Sequence, residues 1–208
     1  MKIKIGIMGG TFNPVHNGHL LLAERAYEQY QLDEVIFLPS RKPAYKEGIL
    51  LASEEERKEM LQIAIATKDY FSLSTLEFER TGNTYTIDTM EILQEENPTT
   101  EYYFIIGADS LFQLEQWHRA ADLMQCTHFL VASRNHASME QLRHHIRKLE
   151  KKYRANIDLI LMPTIEISSS EIRLRMRENK SISYLLPDGV EKYIASHKIY
   201  KRWECVKR

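Results

Sequence analysis

The chain alternates between short apolar runs and longer segments with helical periodicity. Runs without polar alternation, such as Tyr103-Phe104-Ile105-Ile106, are typical of strands that are buried on both faces. Parallel sheets covered by helices have such strands. The pattern therefore predicts an α/β fold, namely a doubly wound, mostly parallel, Rossmann-like sheet. The five predicted strands span residues 3–8, 35–38, 102–106, 129–132 and 157–162.

Polar residues that favour helix starts precede most of the periodic segments. Ser53-Glu54-Glu55-Glu56 has the form of a capping box, in which the serine and the last glutamate satisfy each other's backbone N–H groups. The residues 39–50 carry loop signals, and no repeat is present. We expect one domain over residues 1–208, with 181–208 as a small helical C-terminal extension. Helices are predicted to begin near Asn17, Ser53, Thr86, Ser138, Ser169 and Asp188.

Charge and cysteine content exclude several classes of function. The 208 residues include 28 basic and 29 acidic side chains, so the formal charge of −1 provides no net field to recruit nucleic acid or an anionic membrane. Cys126 and Cys205 lie far apart, without the spacing of a zinc or redox motif. The N-terminus begins with a strand pattern rather than a secretion signal. Small-molecule substrates and a cytoplasmic location are expected.

A phosphate-binding turn is predicted where the first strand ends. It is formed by Gly9, Gly10, Thr11, Phe12 and Asn13, and a helix follows near Asn17. Glycines let a phosphate approach the backbone, and the free amides of a helix start attract an anion. The motif continues into His16-Asn17-Gly18-His19, whose two imidazoles are spaced to face one phosphate. Such an arrangement suits attack on phosphorus, where catalysis rests on positioning and charge stabilisation.

Other interpretations of this turn remain open from the residues alone. Gly9-Gly10 is also compatible with an ordinary structural turn. His16 and His19 are compatible with a structural metal site, although no cysteine or third histidine lies nearby in the sequence, or with a purely structural pair.

Two further segments follow predicted strands and therefore belong to the same edge of the sheet. Ser168, Ser169 and Arg173 surround a predicted helix start, where the plain alternative is a serine cap and a surface arginine. Gly107-Ala108-Asp109 follows the third strand, and Asp109 is placed to accept hydrogen bonds from ribose hydroxyls. Trp117 is either a core residue or a stacking platform for a heteroaromatic ring.

The first motif resembles the signature of the nucleotidyltransferases related to class I aminoacyl-tRNA synthetases. The Ile-Ser-x-x-x-Ile-Arg pattern ending at Arg173 resembles their second motif. The resemblance implies that Ser168, Ser169 and Arg173 hold the β- and γ-phosphates of ATP and the departing pyrophosphate. An arginine is well suited to this role, being always charged and multidentate. His16, His19 and Arg173 are then the predicted catalytic residues.

Further segments resemble bacterial nicotinate mononucleotide adenylyltransferases over roughly residues 5–194. They are Gly107-Ala108-Asp109, Trp117, residues 84–89 and residues 184–187. The resemblance implies that Trp117 stacks on the pyridine ring. It also implies that helix-start amides near Thr86 and the backbone near His118 receive the nicotinate carboxylate, although Thr86 is equally compatible with a plain helix cap.

Two more site residues follow from the resemblance alone. Lys46 matches a loop lysine that contacts phosphate, and Arg134 matches an arginine near the adenosine of ATP. The chain also departs from the family at Asn13, where Asp is frequent, at Tyr45, where His is frequent, and at His118, where Tyr is frequent.

The expected reaction converts ATP and nicotinate mononucleotide to deamido-NAD and pyrophosphate. Mg²⁺ is expected to arrive with ATP and to bind through phosphates and water, without a dedicated set of protein ligands. The alternatives are a related adenylyl- or cytidylyltransferase with another acceptor, such as phosphopantetheine, and a non-catalytic nucleotide-binding protein. A Rossmann dehydrogenase lacks support because Gly-x-Gly-x-x-Gly is absent from the first turn. The preference for acid over amide acceptors and the oligomeric state stay open, with a homodimer as one possibility.

Overall fold

Parallel strands form one sheet in the computed structural model, which describes residues 2–41, 51–132, 139–163 and 165–200. All neighbouring strands pair in parallel, in the order β3-β2-β1-β4-β5-β6. The order reverses between β1 and β4, which is where doubly wound sheets bind ligands. The strands are β1 (Lys4–Gly10), β2 (Glu34–Pro39), β3 (Phe71–Leu73), β4 (Glu101–Gly107), β5 (His128–Ala132) and β6 (Asn156–Ile160).

Helices cover both faces of the sheet. They are α1 (Asn17–Tyr30), α2 (Glu54–Ile65), α3 (Leu76–Glu79), α4 (Thr86–Glu96), α5 (Ala108–Gln113), α6 (Ala120–Cys126), α7 (Met139–Tyr153), α8 (Ser169–Arg177) and α9 (Asp188–Ser196), with a 3₁₀ turn at Leu114–Gln116. The strand β4 shows the two-sided burial. Tyr103 and Ile105 pack in the core that includes α1, α2 and α9, whereas Phe104 and Ile106 pack in the core that includes α4, α6 and α7. The predicted doubly wound α/β fold is confirmed.

The predicted capping box is present at the start of α2. The Ser53 hydroxyl accepts a hydrogen bond from the Glu56 N–H at 3.1 Å, and the Glu56 carboxylate accepts from the Ser53 N–H at 2.9 Å. The cap of α4 differs from the expectation, since Tyr85 is its N-cap and Thr86 is its first helical residue. The Thr86 hydroxyl therefore does not cap the helix, and Thr86 contributes its N–H to the free helix start.

The sequence pattern did not predict the shortest strand and helices. The strand β3 has three residues, and α3, α5 and α6 have four, six and seven. Segments of this length contain too few positions to establish a periodicity, so only tertiary packing defines them. The last strand was also predicted too long, because it ends at Ile160 rather than Met162. Met162 lies beyond the end of the strand and packs, partly buried, against the core that includes α1, α2 and α9.

The segment after residue 181 packs into the main core. Ile182, Leu186, Val190 and Ile194 are buried together with residues of α1 and α2. The chain continues to Tyr200, the last described residue, which is only 4% exposed. The segment that was expected as an extension thus packs, up to Tyr200, into the core that includes α1, α2 and α9. None of the helices in the described ranges has the length and apolar character needed to span a membrane.

Candidate active site

A cavity of about 550 Å³ opens at the carboxyl ends of β1 and β4. The turn at residues 9–13 with the two histidines that follow it and the segment Gly107-Ala108-Asp109 meet there, although about 90 residues separate them along the chain. A largely preformed cleft at this switch point is the usual ligand site of such sheets. The lining includes ten of the residues selected from the sequence, namely Gly9, Gly10, Thr11, His16, His19, Thr86, Gly107, Asp109, Trp117 and His118.

The glycines of the turn also have a packing reason that the sequence did not reveal. A Cβ atom at Gly9 would lie 2.7 Å from Cζ of Phe104, which is closer than real Cβ atoms approach. A Cβ atom at Gly10 would lie 3.1 Å from Cζ of Phe12. The turn therefore packs directly on two aromatic rings. Any side chain at Gly9 would force the turn and the Phe104 ring apart.

Phe12 supports the turn from below. Its side chain is buried, with its ring edge-on to His19 at a centroid distance of 5.0 Å and tilted against Phe37 at 5.9 Å. Its backbone has φ of 47°, the left-handed region that non-glycine residues seldom adopt. Left-handed residues re-aim neighbouring amides and occur in concave anion-binding turns. The Phe12 side chain is thus placed to orient His19 rather than to line the cavity.

Asn13 connects distant parts of the chain beneath the turn. It is 3% exposed, and its Oδ1 accepts hydrogen bonds from the Ala52 N–H at 3.0 Å and from the Tyr200 hydroxyl at 2.8 Å. Burial raises the pKa of Tyr200 well above its ordinary value, so this hydroxyl remains a donor. Asn13 is not among the residues that line the cavity, and its contact with phosphate stays a prediction.

His16 and His19 form one stacked unit. Their ring centroids are 3.6 Å apart with an interplanar angle of 22°, and the His16 backbone N–H donates to Nδ1 of His19 at 3.2 Å. Because Nδ1 of His19 accepts this hydrogen bond, the ring carries its proton on Nε2 in the neutral form. Two imidazolium charges at this separation would repel strongly. The pair is therefore better suited to donating hydrogen bonds than to supplying two positive charges.

Gly18 makes room for this pair. A Cβ atom at this position would lie 3.1 Å from Nδ1 and 3.2 Å from Cε1 of His16. This glycine in the first turn of α1 thus leaves the space that the His16 ring occupies.

The second motif binds the first motif directly. The Ser169 hydroxyl donates to the carbonyl oxygen of Pro14 at 2.8 Å, and Nη1 of Arg173 donates to the carbonyl oxygen of Asn13 at 2.6 Å. Ser168 is the N-cap of α8 and accepts from the Glu171 N–H at 3.1 Å. Burial lowers the pKa of Arg173, but guanidinium pKa values start high enough for the charge to persist. These side chains adjoin the turn and are not part of the cavity lining.

Aromatic rings form the opposite side of the cavity. Trp117 is half-buried, lies edge-on to Phe104 at a centroid distance of 6.4 Å, and also lines the cavity. Both interpretations of this residue thus have support, since it packs against the core and presents surface to a ligand. Tyr85 stacks on His118 at 4.1 Å beside it.

Sequence reasoning missed two buried charged residues at the site. Glu77 lines the cavity at 6% exposure, and its Oε1 accepts from the Thr89 hydroxyl at 3.0 Å. Burial raises its pKa, an effect opposed by hydrogen bonds and by nearby Arg80. Arg57 lies behind the turn, and its position on the apolar stripe of α2 was a signal available in the sequence. Lys46 and Arg134 lie outside the described residues.

Comparisons with known proteins agree with the geometry. A family model described as cytidylyltransferase-like matches residues 7–175. A probable nicotinate-nucleotide adenylyltransferase of Lachnoclostridium phytofermentans is 50% identical over 95% of this chain and 98% of its own length. A protein of the same description from Carboxydothermus hydrogenoformans is 43% identical, again over 95% of this chain and 98% of its own.

Solved structures show the same fold. Plasmodium falciparum nicotinic acid mononucleotide adenylyltransferase complexed with NaAD aligns with a TM-score of 0.80 at 21% identity, covering 96% of this chain and 98% of that one. Fold, family model and relatives agree, and the resemblance drawn from the motifs is confirmed. The chain belongs to the nicotinate-nucleotide adenylyltransferase family, within the wider cytidylyltransferase-like family.

Proposed function

We propose that this enzyme transfers the adenylyl group of ATP to nicotinate mononucleotide, forming deamido-NAD and pyrophosphate. A 5′-phosphate oxygen of the mononucleotide attacks the α-phosphorus of ATP, and the bond between the α-phosphorus and the oxygen bridging to the β-phosphate breaks. The electron pair of that bond leaves with pyrophosphate. The observation that carries the proposal is the meeting of the glycine turn, the histidine pair and the Trp117 ring around one cavity.

The histidine side of the cavity supports the phosphate chemistry. His19, held as an Nε2–H donor by the hydrogen bond to its Nδ1, would donate to the transferring phosphate as negative charge develops on it. The backbone of Gly9, Gly10 and Thr11 would lie along the polyphosphate. Ser168, Ser169 and Arg173 would hold the β- and γ-phosphates and the leaving pyrophosphate, with the guanidinium able to make two parallel hydrogen bonds.

The aromatic side supports a pyridine nucleotide as acceptor. Trp117 presents a flat surface to the cavity, and the N-terminus of α4 at Thr86 also lines it. A helix N-terminus favours a carboxylate, which distinguishes nicotinate from its amide. Asp109 is exposed on the lining and would accept hydrogen bonds from ribose hydroxyls. Lys46 and Arg134 stay predictions from the family motif.

Mg²⁺ is the proposed cofactor and would neutralise charge on the polyphosphate. Among the described residues, no group of three or more His, Cys, Asp or Glu side chains is placed to hold a metal ion. The carboxylates on the cavity lining are those of Glu77 and Asp109. This donor set fits an ion that binds chiefly through substrate phosphates and water. Asp109 is the exposed member, so it would contact a water of that ion or a ribose hydroxyl.

One assay tests the reaction. The protein is supplied with ATP and Mg²⁺, together with nicotinate mononucleotide, nicotinamide mononucleotide or phosphopantetheine in separate reactions, and pyrophosphate release is measured. We expect turnover with nicotinate mononucleotide and much less with its amide. Preferred turnover with phosphopantetheine would replace the proposed acceptor, and absence of turnover with all three would favour a nucleotide-binding protein. EDTA should abolish turnover, and excess Mg²⁺ should restore it.

A cytoplasmic location and a homodimer are also proposed. Cys126 is a free, exposed thiol, which suits the reducing cytoplasm. A homodimer is testable by light scattering during gel filtration, where a mass near the 24.5 kDa of one chain would exclude it.

A further inference from the structure

A buried arginine lies behind the phosphate-binding turn. Arg57 is 1% exposed and belongs to the apolar stripe of α2, together with Met60, Leu61, Ala64 and Ile65. No ion pair of Arg57 occurs among the described residues. The guanidinium carbon lies over the ring of Phe78, 4.9 Å from its centroid.

The Arg57 guanidinium binds only backbone carbonyl oxygens among its described hydrogen-bond partners. Nη1 donates to Thr11 at 3.0 Å and to Ser40 at 2.6 Å, and Nη2 donates to Arg41 at 3.1 Å. One side chain thus joins the turn after β1 to the chain that leaves β2. Burial lowers the pKa of Arg57, an effect that Glu54 and Tyr200 oppose, and the group stays charged because its ordinary pKa is so high.

Stability alone does not account for this residue. Burying a cation without a carboxylate partner is unfavourable, and an apolar side chain would suit the stripe of α2 better. The advantage must therefore lie in what the charge contacts. Arg57 holds the carbonyl of Thr11, and Arg173 holds the carbonyl of Asn13, so the two guanidinium groups bind on either side of the left-handed Phe12.

We propose that Arg57 is a positioning residue for ATP. It fixes the peptide orientation of the turn at Thr11, so that the amides of the turn are preorganised for the polyphosphate, and its charge adds a favourable field from behind the turn. This role rests on the proposed function for the identity of the ligand. It is separate from that of Arg173, because Arg57 approaches from α2 and bonds a different carbonyl.

The test compares Arg57→Met and Arg57→Lys with the control Arg175→Met. Arg175 also donates to a backbone carbonyl, that of Ser181 at 2.8 Å, but none of its described hydrogen bonds reaches the turn. We expect Arg57→Met to raise the KM for ATP and so to lower kcat/KM for ATP by about 100-fold, the scale on which a remote substitution that misplaces reacting groups slows a reaction. The KM for nicotinate mononucleotide should stay near that of the unmodified protein. Arg57→Lys retains the charge but cannot bond all three carbonyl oxygens with one planar group. Its KM for ATP should therefore lie between that of the unmodified protein and that of Arg57→Met.

Binding of a non-hydrolysable ATP analogue, measured by calorimetry, separates this inference from the reaction itself. If the unmodified protein binds the analogue but transfers nothing to the mononucleotide, the proposed function fails, whereas weaker binding by the Arg57 variants still supports the positioning role. Thermal midpoints identify variants that fold, and Arg57→Lys serves alone if Arg57→Met does not fold. Unchanged analogue affinity in a folded Arg57 variant, or an equal rise of both KM values, overturns the inference.

Discussion

Nη1 of Arg173 donates a 2.6 Å hydrogen bond to the carbonyl oxygen of Asn13, a residue 160 positions earlier in the chain. The two predicted phosphate motifs are therefore joined by direct hydrogen bonds. Movement of α8 would move the turn after β1, and Ser169 adds a second link through Pro14. Arg173 would thus have two effects, since it holds the turn and, in the proposed function, supplies charge to the leaving group.

Substitution of Arg173 should separate these effects. Arg173→Met removes the charge and the bond to Asn13, so we expect kcat to fall by about 100-fold or more, as for loss of a preorganised donor to the transition state. Arg173→Lys keeps the charge without the planar fork and should recover part of the rate. Steady-state pyrophosphate release measures both, and equal rates for the two variants would contradict a role for the charge.

His19→Ala should be defective in chemistry rather than in folding. The variant removes an imidazole that lines the cavity and that, in the proposed function, donates to the transferring phosphate, so we expect kcat to fall by about 100- to 1,000-fold. The thermal midpoint should change little, because His19 is only partly buried. His144→Ala, on the exposed surface of α7, is the matched control. Undiminished turnover of His19→Ala would reject its catalytic role.

Gly18→Ala should lower activity without lowering stability. Alanine in a helix is favoured over glycine by about 0.5–1 kcal/mol, so the free energy of unfolding should be maintained or increased. The added Cβ would lie 3.1 Å from Nδ1 of His16, so that ring would have to shift by a few tenths of an ångström and alter its stack on His19. We expect a lower kcat in a protein that unfolds at the same or a higher urea concentration. Retention of full activity would show that the stack is not needed.

Trp117 variants should report on the acceptor. Loss of a stacked aromatic ring costs about 1–3 kcal/mol per base, so Trp117→Ala should raise the KM for nicotinate mononucleotide by roughly 10-fold or more. Trp117→Phe retains a ring and the packing toward Phe104, and it should have a smaller effect. The KM for ATP serves as the internal control. A matching increase in both KM values would indicate a general loss of packing instead.

Glu77 should make stability depend on pH. Burial raises its pKa in the folded state, so the folded protein binds the proton more tightly than the unfolded chain. Its contribution is fully present below the ordinary value of about 4.5 and is lost as the pH rises through the raised value. Glu77→Gln does not titrate, and its amide oxygen can still accept from Thr89.

The thermal midpoint of Glu77→Gln, relative to that of the unmodified protein, should therefore increase as the pH rises from about 4.5 toward neutrality. Glu79→Gln is the control, since Glu79 is exposed and accepts from Thr75 at 2.7 Å. Parallel midpoint curves for Glu77→Gln and the unmodified protein would exclude this titration as a source of pH dependence.

Much of the architecture was accessible from local pattern. The strands β1, β2, β4 and β5 were predicted because their apolar runs leave a clear signal of burial in a covered sheet. The edge strand β6 was also predicted, although of its five residues only Ile157 and Ile160 are buried. The helix start at Ser53 was predicted because a capping box is a local chemical pattern. In contrast, β3 contains only Phe71–Leu73, and it exists because Val35 and its neighbours offer a free edge for pairing.

The sequence by itself determined the doubly wound fold, the family and the residue types of the phosphate motifs. Hydrophobic periodicity and short glycine, histidine and serine patterns act over a few residues, and a linear sequence displays them directly. Only the tertiary structure decided that His16 and His19 stack, that Asn13 bonds Tyr200, and that Arg57 holds the carbonyl of Thr11. These contacts depend on rotamers and on segments brought together by the sheet, and no local pattern encodes which distant acceptor a buried donor will find.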